Sequence, residues 1–239
     1  MNVQPLQERQ LLQMNRDSLE KKILQYYHET QKEDVVIEYG MALLMRNAMV
    51  MDDYSFMCKG LIRELFLKGE PNDTKRDFCL YFYDYFDYEE WEVVRGRLFK
   101  TRSEFAEWTR KIRPETKYFR AASAPTYDKF DEILLCATSR DPEEYRAAAF
   151  ADKENVRFSY KAFFADVQGK KHMVTFKNAD LSKSGEELYI VLEILTKLTI
   201  FEKNGVRRFV KILEDDCHEE MARTLVSSKR KKEKNQSAK

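Results

Sequence analysis

Residues 77–92, DFCLYFYDYFDYEEWE, combine two side-chain chemistries that protein-binding surfaces use. The segment holds eight aromatic residues, six acidic residues and no basic residue. If it forms one continuous helix, Tyr83 and Trp91 project from the apolar stripe toward the acidic side. Tyr and Trp are enriched at binding hot spots, and carboxylates attract a basic partner. We therefore predict that a protein partner contacts Tyr83, Asp84, Asp87 and Trp91.

The same segment has a simpler interpretation as a helix that only buries its aromatic side. At 100° per residue, six rings share one arc and form a predicted buried stripe: Phe78, Tyr81, Phe82, Tyr85, Phe86 and Tyr88. A broad apolar stripe usually packs against other helices, and carboxylates on the opposite side are usually solvated. Both interpretations make Phe78, Phe82 and Phe86 core residues.

Basic residues near the C-terminus favour a second function, the binding of nucleic acid. They surround the dipeptide Asn204-Gly205 and continue in the tail, and the candidates are Lys203, Arg207, Arg208, Lys211, Lys229, Arg230, Lys231 and Lys232. Lys and Arg neutralise phosphate groups without regard to base sequence. The alternative hypothesis is therefore a regulator that associates with nucleic acid through this hairpin and tail.

The sequence lacks the local motifs that organise common catalytic sites. It has no GxSxG, no glycine-rich phosphate loop followed by Lys, and no HExxH. The run EDDCHEE, residues 214–220, gathers potential metal ligands, but no second cluster follows at zinc or calcium spacing. We predict no metal, no cofactor and no catalytic residues. An enzyme whose site is assembled from distant residues is the second alternative.

Composition predicts a globular cytoplasmic protein. The 239 residues are 43% hydrophobic, which suffices for a core, and their formal net charge is +1, so no overall field attracts a polyanion. Four cysteines without a CxxC pair, and no secretory leader pattern, favour a reducing compartment. No apolar run reaches the roughly 18 residues of a membrane span, so we predict no membrane partner.

Residues 1–152 are predicted to form a helical domain of six to eight helices. Three capping-box patterns indicate helix starts, at Asp17–Glu20, Thr101–Glu104 and Asp141–Glu144. Apolar residues recur at helical spacing between them, and glycine is absent from 97–168.

Residues 153–222 are predicted to form a small antiparallel ββαββ unit. A hairpin with a two-residue turn at Gln168-Gly169 would pair Phe163 with Val174 and Phe164 with Met173. A helix follows, opened by the capping-box pair Ser184 and Glu187. Asn204-Gly205 then predicts a second hairpin that sets Glu202 opposite Arg207. After a possible short helix beyond Glu220, residues 223–239 are predicted to be a disordered basic tail.

The predicted fold class is thus α+β, a mainly helical N-terminal domain followed by the ββαββ unit and the tail. The leading functional hypothesis is a non-enzymatic cytoplasmic accessory protein, of a kind found in bacteria and phages, that binds a protein partner through its acidic aromatic region.

Overall fold

The computed structural model describes residues 4–112, 156–180 and 185–223, and it confirms the α+β class. Its N-terminal part contains seven α-helices and one 3-10 helix within residues 4–112. The helices are α1 Glu8–Gln13, α2 Arg16–Thr30, α3 Glu33–Met49, α4 Lys59–Lys68, α5 Asp73–Phe78, the 3-10 helix Cys79–Tyr85, α6 Tyr88–Leu98 and α7 Arg102–Ile112. The C-terminal part contains β1 Val156–Ala165, β2 Lys171–Lys177, α8 Gly185–Lys197, β3 Glu202–Lys203, β4 Val206–Arg207, β5 Lys211–Ile212, a 3-10 turn Glu214–Asp216 and β6 His218–Arg223.

Helix α3 is the central helix against which five other helices pack. Every residue from Val36 to Met49 is buried, which fits its apolar sequence and leaves no solvated face. Gly40 lets α4 and the 3-10 helix approach closely, because a Cβ there would lie 2.8 Å from Ile62 and 2.9 Å from the Phe82 ring. The helix contacts α1, α2, α4, α5 and α8, so it joins both parts of the chain.

The aromatic segment 77–92 does not form the single helix that the sequence predicted. It passes from α5 into the 3-10 helix, breaks at Phe86, and restarts as α6. Asp87 caps α6 by accepting a hydrogen bond from the Glu90 amide, and the Glu90 carboxylate accepts one from the Asp87 amide. This capping box starts a new helix whose rotation is independent of the preceding one. Positions on either side of the break therefore do not share one helical stripe.

A four-stranded antiparallel sheet is built on β1. Strand β2 lies on one side of β1, whereas β5 and β6 both pair along its other side. Strand β6 replaces the short helix considered for this region; its charged sequence gives little strand propensity, and pairing with β1 supplies the structure. The core-facing side of the sheet includes Phe164 and Phe176, which are fully buried.

The first hairpin differs by one residue from its predicted register. Phe163 pairs with Met173 and Phe164 with His172, because the loop has three residues rather than two. The Gly169 amide bonds to the Asp166 carbonyl at 3.0 Å, and Gly169 has a φ of 81°. A three-residue loop with Gly in the left-handed region is a common hairpin connection, and it moves every pairing by one position.

The second hairpin confirms its predicted turn and register. Asn204 and Gly205 have φ values of 54° and 76°, and Glu202 pairs with Arg207 along the backbone. The predicted charge pair does not form, since the Arg207 guanidinium donates to the Thr196 carbonyl instead. This hairpin is a separate two-stranded ribbon beside the main sheet.

One hydrophobic core includes residues of both the helical part and the C-terminal part. Polar contacts reinforce the packing of α8 and its following loop on α3, since the buried Glu38 carboxylate accepts hydrogen bonds from the Thr199 and Ile200 amides. None of the helices in the described residues combines the length and apolar character that a bilayer span needs.

Several predicted features lie outside the described residues. They are the boundary at 152, the helix start at Asp141–Glu144, the Ser184 capping position and the tail beyond Arg223, including Lys229, Arg230, Lys231 and Lys232.

Candidate functional site

An acidic aromatic surface lies at the start of α6, and we call it the α6 patch: Tyr83, Asp84, Asp87, Tyr88 and Glu92. Tyr88 is 57% exposed, and it is the one aromatic residue among the exposed large hydrophobic residues in the described part of the chain. Asp87 is exposed, and Tyr83, Asp84 and Glu92 are half-buried. The patch therefore presents aromatic area together with several carboxylates, but its most exposed ring is Tyr88 rather than the predicted Tyr83 and Trp91.

The two tyrosines and the carboxylates are close enough to affect each other electrostatically. Partial burial raises the pKa of Tyr83, and the neighbouring Asp84, Tyr88 and Glu92 raise it further. The phenol consequently remains neutral at physiological pH. Glu92 differs, because its hydrogen bond from Arg95 lowers its pKa and keeps it charged.

Trp91 was predicted to project into solvent, and this was wrong. Its side chain is 1% exposed and packs against Phe86 and Phe105. The break before Asp87 rotates α6 so that Trp91 faces inward and Tyr88, which was predicted to be buried, faces outward. Trp91 supports the patch from below, since its ring contacts the Tyr83 ring edge-on with centroids 5.0 Å apart.

A second candidate region is a depression between the two hairpin turns, which we call the turn depression. It measures about 360 Å³ and is lined by Asp166, Gln168, Lys170, His172, Lys203, Asn204, Val206 and Arg208. Lys203 and Arg208 were predicted from sequence, whereas Lys170 and His172 were not. The ammonium groups of Lys170 and Lys203 form no ion pair with any described residue.

A chain of ionisable groups forms the inner wall of the turn depression. The His172 Nε2 atom lies 2.8 Å from an Asp166 carboxylate oxygen, and Arg208 donates from Nε to His172 Nδ1 at 3.4 Å. Arg208 also forms an ion pair with Glu8 on α1. The hydrogen bond with His172 holds the pKa of Asp166 below its ordinary value, whereas burial raises the pKa of Glu8.

Sequence periodicity alone could not identify this series of interacting ionisable groups. Glu8 is 200 positions from Arg208, and only the fold brings them together. The signal for Asp166 and His172 was local: residues flanking a short hairpin turn lie opposite or nearly opposite each other, so an Asp and a His there can meet.

Arg207 and Lys211, the other basic candidates within the described residues, do not line the turn depression. Arg207 is half-buried and bonded to the Thr196 carbonyl, so its charge is directed toward α8. Lys211 is exposed on β5 and pairs with Ala165 through the backbone.

The acidic run 214–220 does not assemble a metal site in the described part of the chain. It is divided between a 3-10 turn and β6, and no group of three or more His, Cys, Asp and Glu side chains in the described ranges is placed to hold an ion. Comparison with protein-family models, curated proteins and solved structures found no match.

Proposed function

We propose that this protein acts without catalysis by binding a protein partner through the α6 patch. The observation that carries the proposal is the exposure of the Tyr88 ring beside Asp84, Asp87 and Glu92. Tyrosine offers a large, rigid contact area and a hydroxyl group, and it is enriched at binding hot spots.

The side chains of the α6 patch are held in place before a partner binds, which favours a role of the patch in binding. Trp91 contacts Tyr83 of the patch, Phe105 contacts Trp91 and Phe99 contacts Phe105, all through edge-on or tilted rings. Asp87 is held as the cap of α6. A rigid surface loses little conformational entropy when a partner docks.

The charge of the patch specifies the class of partner. The Asp84 carboxylate lies near the Tyr83 phenol and Asp87 is exposed beside Tyr88, so a complementary segment carries Lys or Arg beside an apolar or aromatic side chain. Glu92 contributes less, because it already pairs with Arg95 and Arg102. Arg is the better match, because its guanidinium can stack on a ring and pair with a carboxylate.

The test is recovery of the partner from lysate of the source organism, with and without nuclease. We expect Tyr88→Ala to lose the partner, whereas Leu24→Ala on α2 retains it; Leu24 is a matched control because it is a 45% exposed apolar side chain on another helix. Nuclease treatment should not change the recovery of the partner. Retention of the partner by Tyr88→Ala would refute the proposal.

The turn depression favours a second candidate function, association with nucleic acid. Lys170, Lys203 and Arg208 converge there, and cations that converge in a concave surface attract phosphate groups. We expect binding of a single-stranded oligonucleotide to weaken in Lys170→Glu/Lys203→Glu, with a shallower dependence on salt concentration. The control is Lys21→Glu/Lys22→Glu, at two exposed positions of α2. Equal weakening in both variants would show that only net charge matters.

A further inference from the structure

A cleft lies where α1, the loop after α3 and the first hairpin meet. Its volume is about 630 Å³, which is within the range of small-molecule sites. The residues that matter most are Leu12, Arg46, Tyr54, Phe158, Lys177 and Asn178. Because both parts of the chain contribute walls, the cleft exists only in the assembled fold.

Arg46 is a buried cation in the wall of this cleft. It is 5% exposed, and it donates to the Leu11 carbonyl at 3.0 Å and to the Tyr54 hydroxyl. Its guanidinium carbon lies 3.8 Å from the centroid of the Tyr54 ring. Its Nε–H has no hydrogen-bond partner among the described residues, and no described carboxylate lies within ion-pairing distance.

A buried guanidinium without an ion pair is costly, since its desolvation is not repaid by a neighbouring anion. Burial accordingly lowers the pKa of Arg46, although Tyr54 and, to a smaller extent, Asp52 partly offset this. Asp52 is already engaged, because its carboxylate accepts a hydrogen bond from the Asn178 side chain at 3.0 Å. The charge of Arg46 is thus available to an anion that enters the cleft.

The other walls combine a second cation with apolar area. Lys177 is exposed and forms no ion pair with the described residues, and Asn15 and Thr175 add hydrogen-bonding groups. Leu12 and Phe158 supply apolar surface. A ligand that matches these walls has an anionic group and an apolar or ring-shaped part.

The rim of the cleft includes a residue with a left-handed backbone conformation. Asn178 has a φ of 56°, and its carbonyl accepts a hydrogen bond from the Met51 amide at 2.8 Å. The neighbouring bridge between Val50 and Ala179 fixes the end of α3 to the end of β2. Left-handed residues other than Gly persist where surrounding contacts hold them, and they concentrate at ligand sites.

We propose that this cleft binds a small organic anion, with its phosphate or carboxylate group toward Arg46 and Lys177 and its apolar part against Leu12 and Phe158. The proposal rests on a surface separate from the α6 patch and does not depend on the partner proposed there.

The test is a calorimetric titration of the full chain with phenyl phosphate, benzoate and inorganic phosphate, each at the same constant ionic strength. We expect saturable binding of at least one organic anion, tighter than that of inorganic phosphate. Lys177→Ala should weaken it about tenfold, the size of effect that one lost charge contact of about 1.4 kcal/mol produces. Lys22→Ala, at an exposed lysine of α2, should leave it unchanged.

Arg46→Met tests the buried cation directly and should abolish binding; where this variant does not fold, the Lys177 comparison decides. Absence of saturable binding with all three probes would overturn the proposal. Binding that Lys177→Ala and Lys22→Ala weaken equally would also overturn it, since it would then reflect net charge.

Discussion

The Glu38 carboxylate accepts two hydrogen bonds from Thr199, one from its amide at 2.5 Å and one from its hydroxyl at 2.6 Å. Glu38 belongs to the central helix α3, whereas Thr199 lies between α8 and β3, 161 positions later. Glu38 is 5% exposed, so these bonds satisfy a carboxylate that is withdrawn from water. This contact joins the helical part of the chain to the C-terminal part.

Replacing Glu38 by Gln should therefore reduce the free energy of unfolding by about 2 kcal/mol, because a neutral amide accepts these bonds less strongly. Thr199→Val removes only the hydroxyl bond and should cost about 1 kcal/mol. Chemical denaturation of both single variants and of the double variant measures their coupling. A coupling energy indistinguishable from zero would show that the contact contributes nothing.

Gly69 should not tolerate alanine. It caps the end of α4, and a Cβ there would lie 2.5 Å from the Lys75 ammonium and would also meet the Glu33 carboxylate. Lys75 is completely buried and pairs with Glu33, so displacing either group weakens a buried ion pair. Gly69→Ala should lower the free energy of unfolding by about 2 kcal/mol or more.

Gly96→Ala is the matched control in the interior of α6, where a Cβ meets nothing within 4 Å. It should raise stability by about 0.5 to 1 kcal/mol, since Ala has the higher helix propensity. If both glycine variants shift the melting temperature in the same direction, the close approach at Gly69 is not a constraint.

We expect the folded protein to lose stability in acid when Asp166 becomes protonated. Its hydrogen bond with His172 lowers the folded-state pKa of Asp166 below the ordinary value of 3.8. A depressed carboxyl pKa contributes stability above the unfolded-state pKa, and this contribution is lost as the pH falls through the folded-state value. The stability difference between the wild type and Asp166→Asn should therefore be largest at neutral pH and shrink below about pH 3.8. Thermal melts between pH 7 and pH 2.5 provide the measurement; a difference that is constant with pH would contradict the ionic contact.

The sequence was sufficient for some features determined by local rules, although α2 begins at Arg16 with Asn15 as its cap rather than at Asp17. The Asn204-Gly205 turn and the pairing of Glu202 with Arg207 follow from turn chemistry, and both are observed. The Thr101 hydroxyl accepts a hydrogen bond from the Glu104 amide, as its capping pattern predicted. The α+β order follows from the change in hydrophobic period along the chain.

Features that depend on where one element ends and how it packs against others could not be predicted from the sequence. A helical wheel assumes one continuous helix, but the capping box at Asp87 and Glu90 starts a new one. Trp91 is therefore buried and Tyr88 exposed, the reverse of the predicted burial. The three-residue loop ending in Gly169 shifted the first hairpin by one position. Neither Arg46 nor the chain from Glu8 to Asp166 has a sequence pattern, because tertiary packing assembles both.

Trp91 and Tyr88 should consequently behave in opposite ways when they are truncated. Trp91→Ala removes a ring that is 1% exposed and should cost about 3 to 5 kcal/mol of stability. Tyr88→Ala removes a largely exposed ring and should change stability by roughly 0.5 kcal/mol or less. Thermal melts distinguish the two; equal destabilisation would place Tyr88 in the core.

Asp87→Asn separates the charge of the patch from its structural role. Asn caps helices about as well as Asp, so this variant should fold normally while presenting one carboxylate fewer. Binding of a basic partner should weaken and become less sensitive to salt. Unchanged binding would show that this carboxylate does not face the partner.

The most direct test of the proposed function is the affinity of the recovered partner for Tyr88→Ala, measured beside the wild type and Leu24→Ala under conditions where all three are folded. We expect the dissociation constant to rise about tenfold or more for Tyr88→Ala, as for the loss of a hot-spot ring, and to stay unchanged for Leu24→Ala. Equal affinities for all three proteins would contradict binding through the α6 patch.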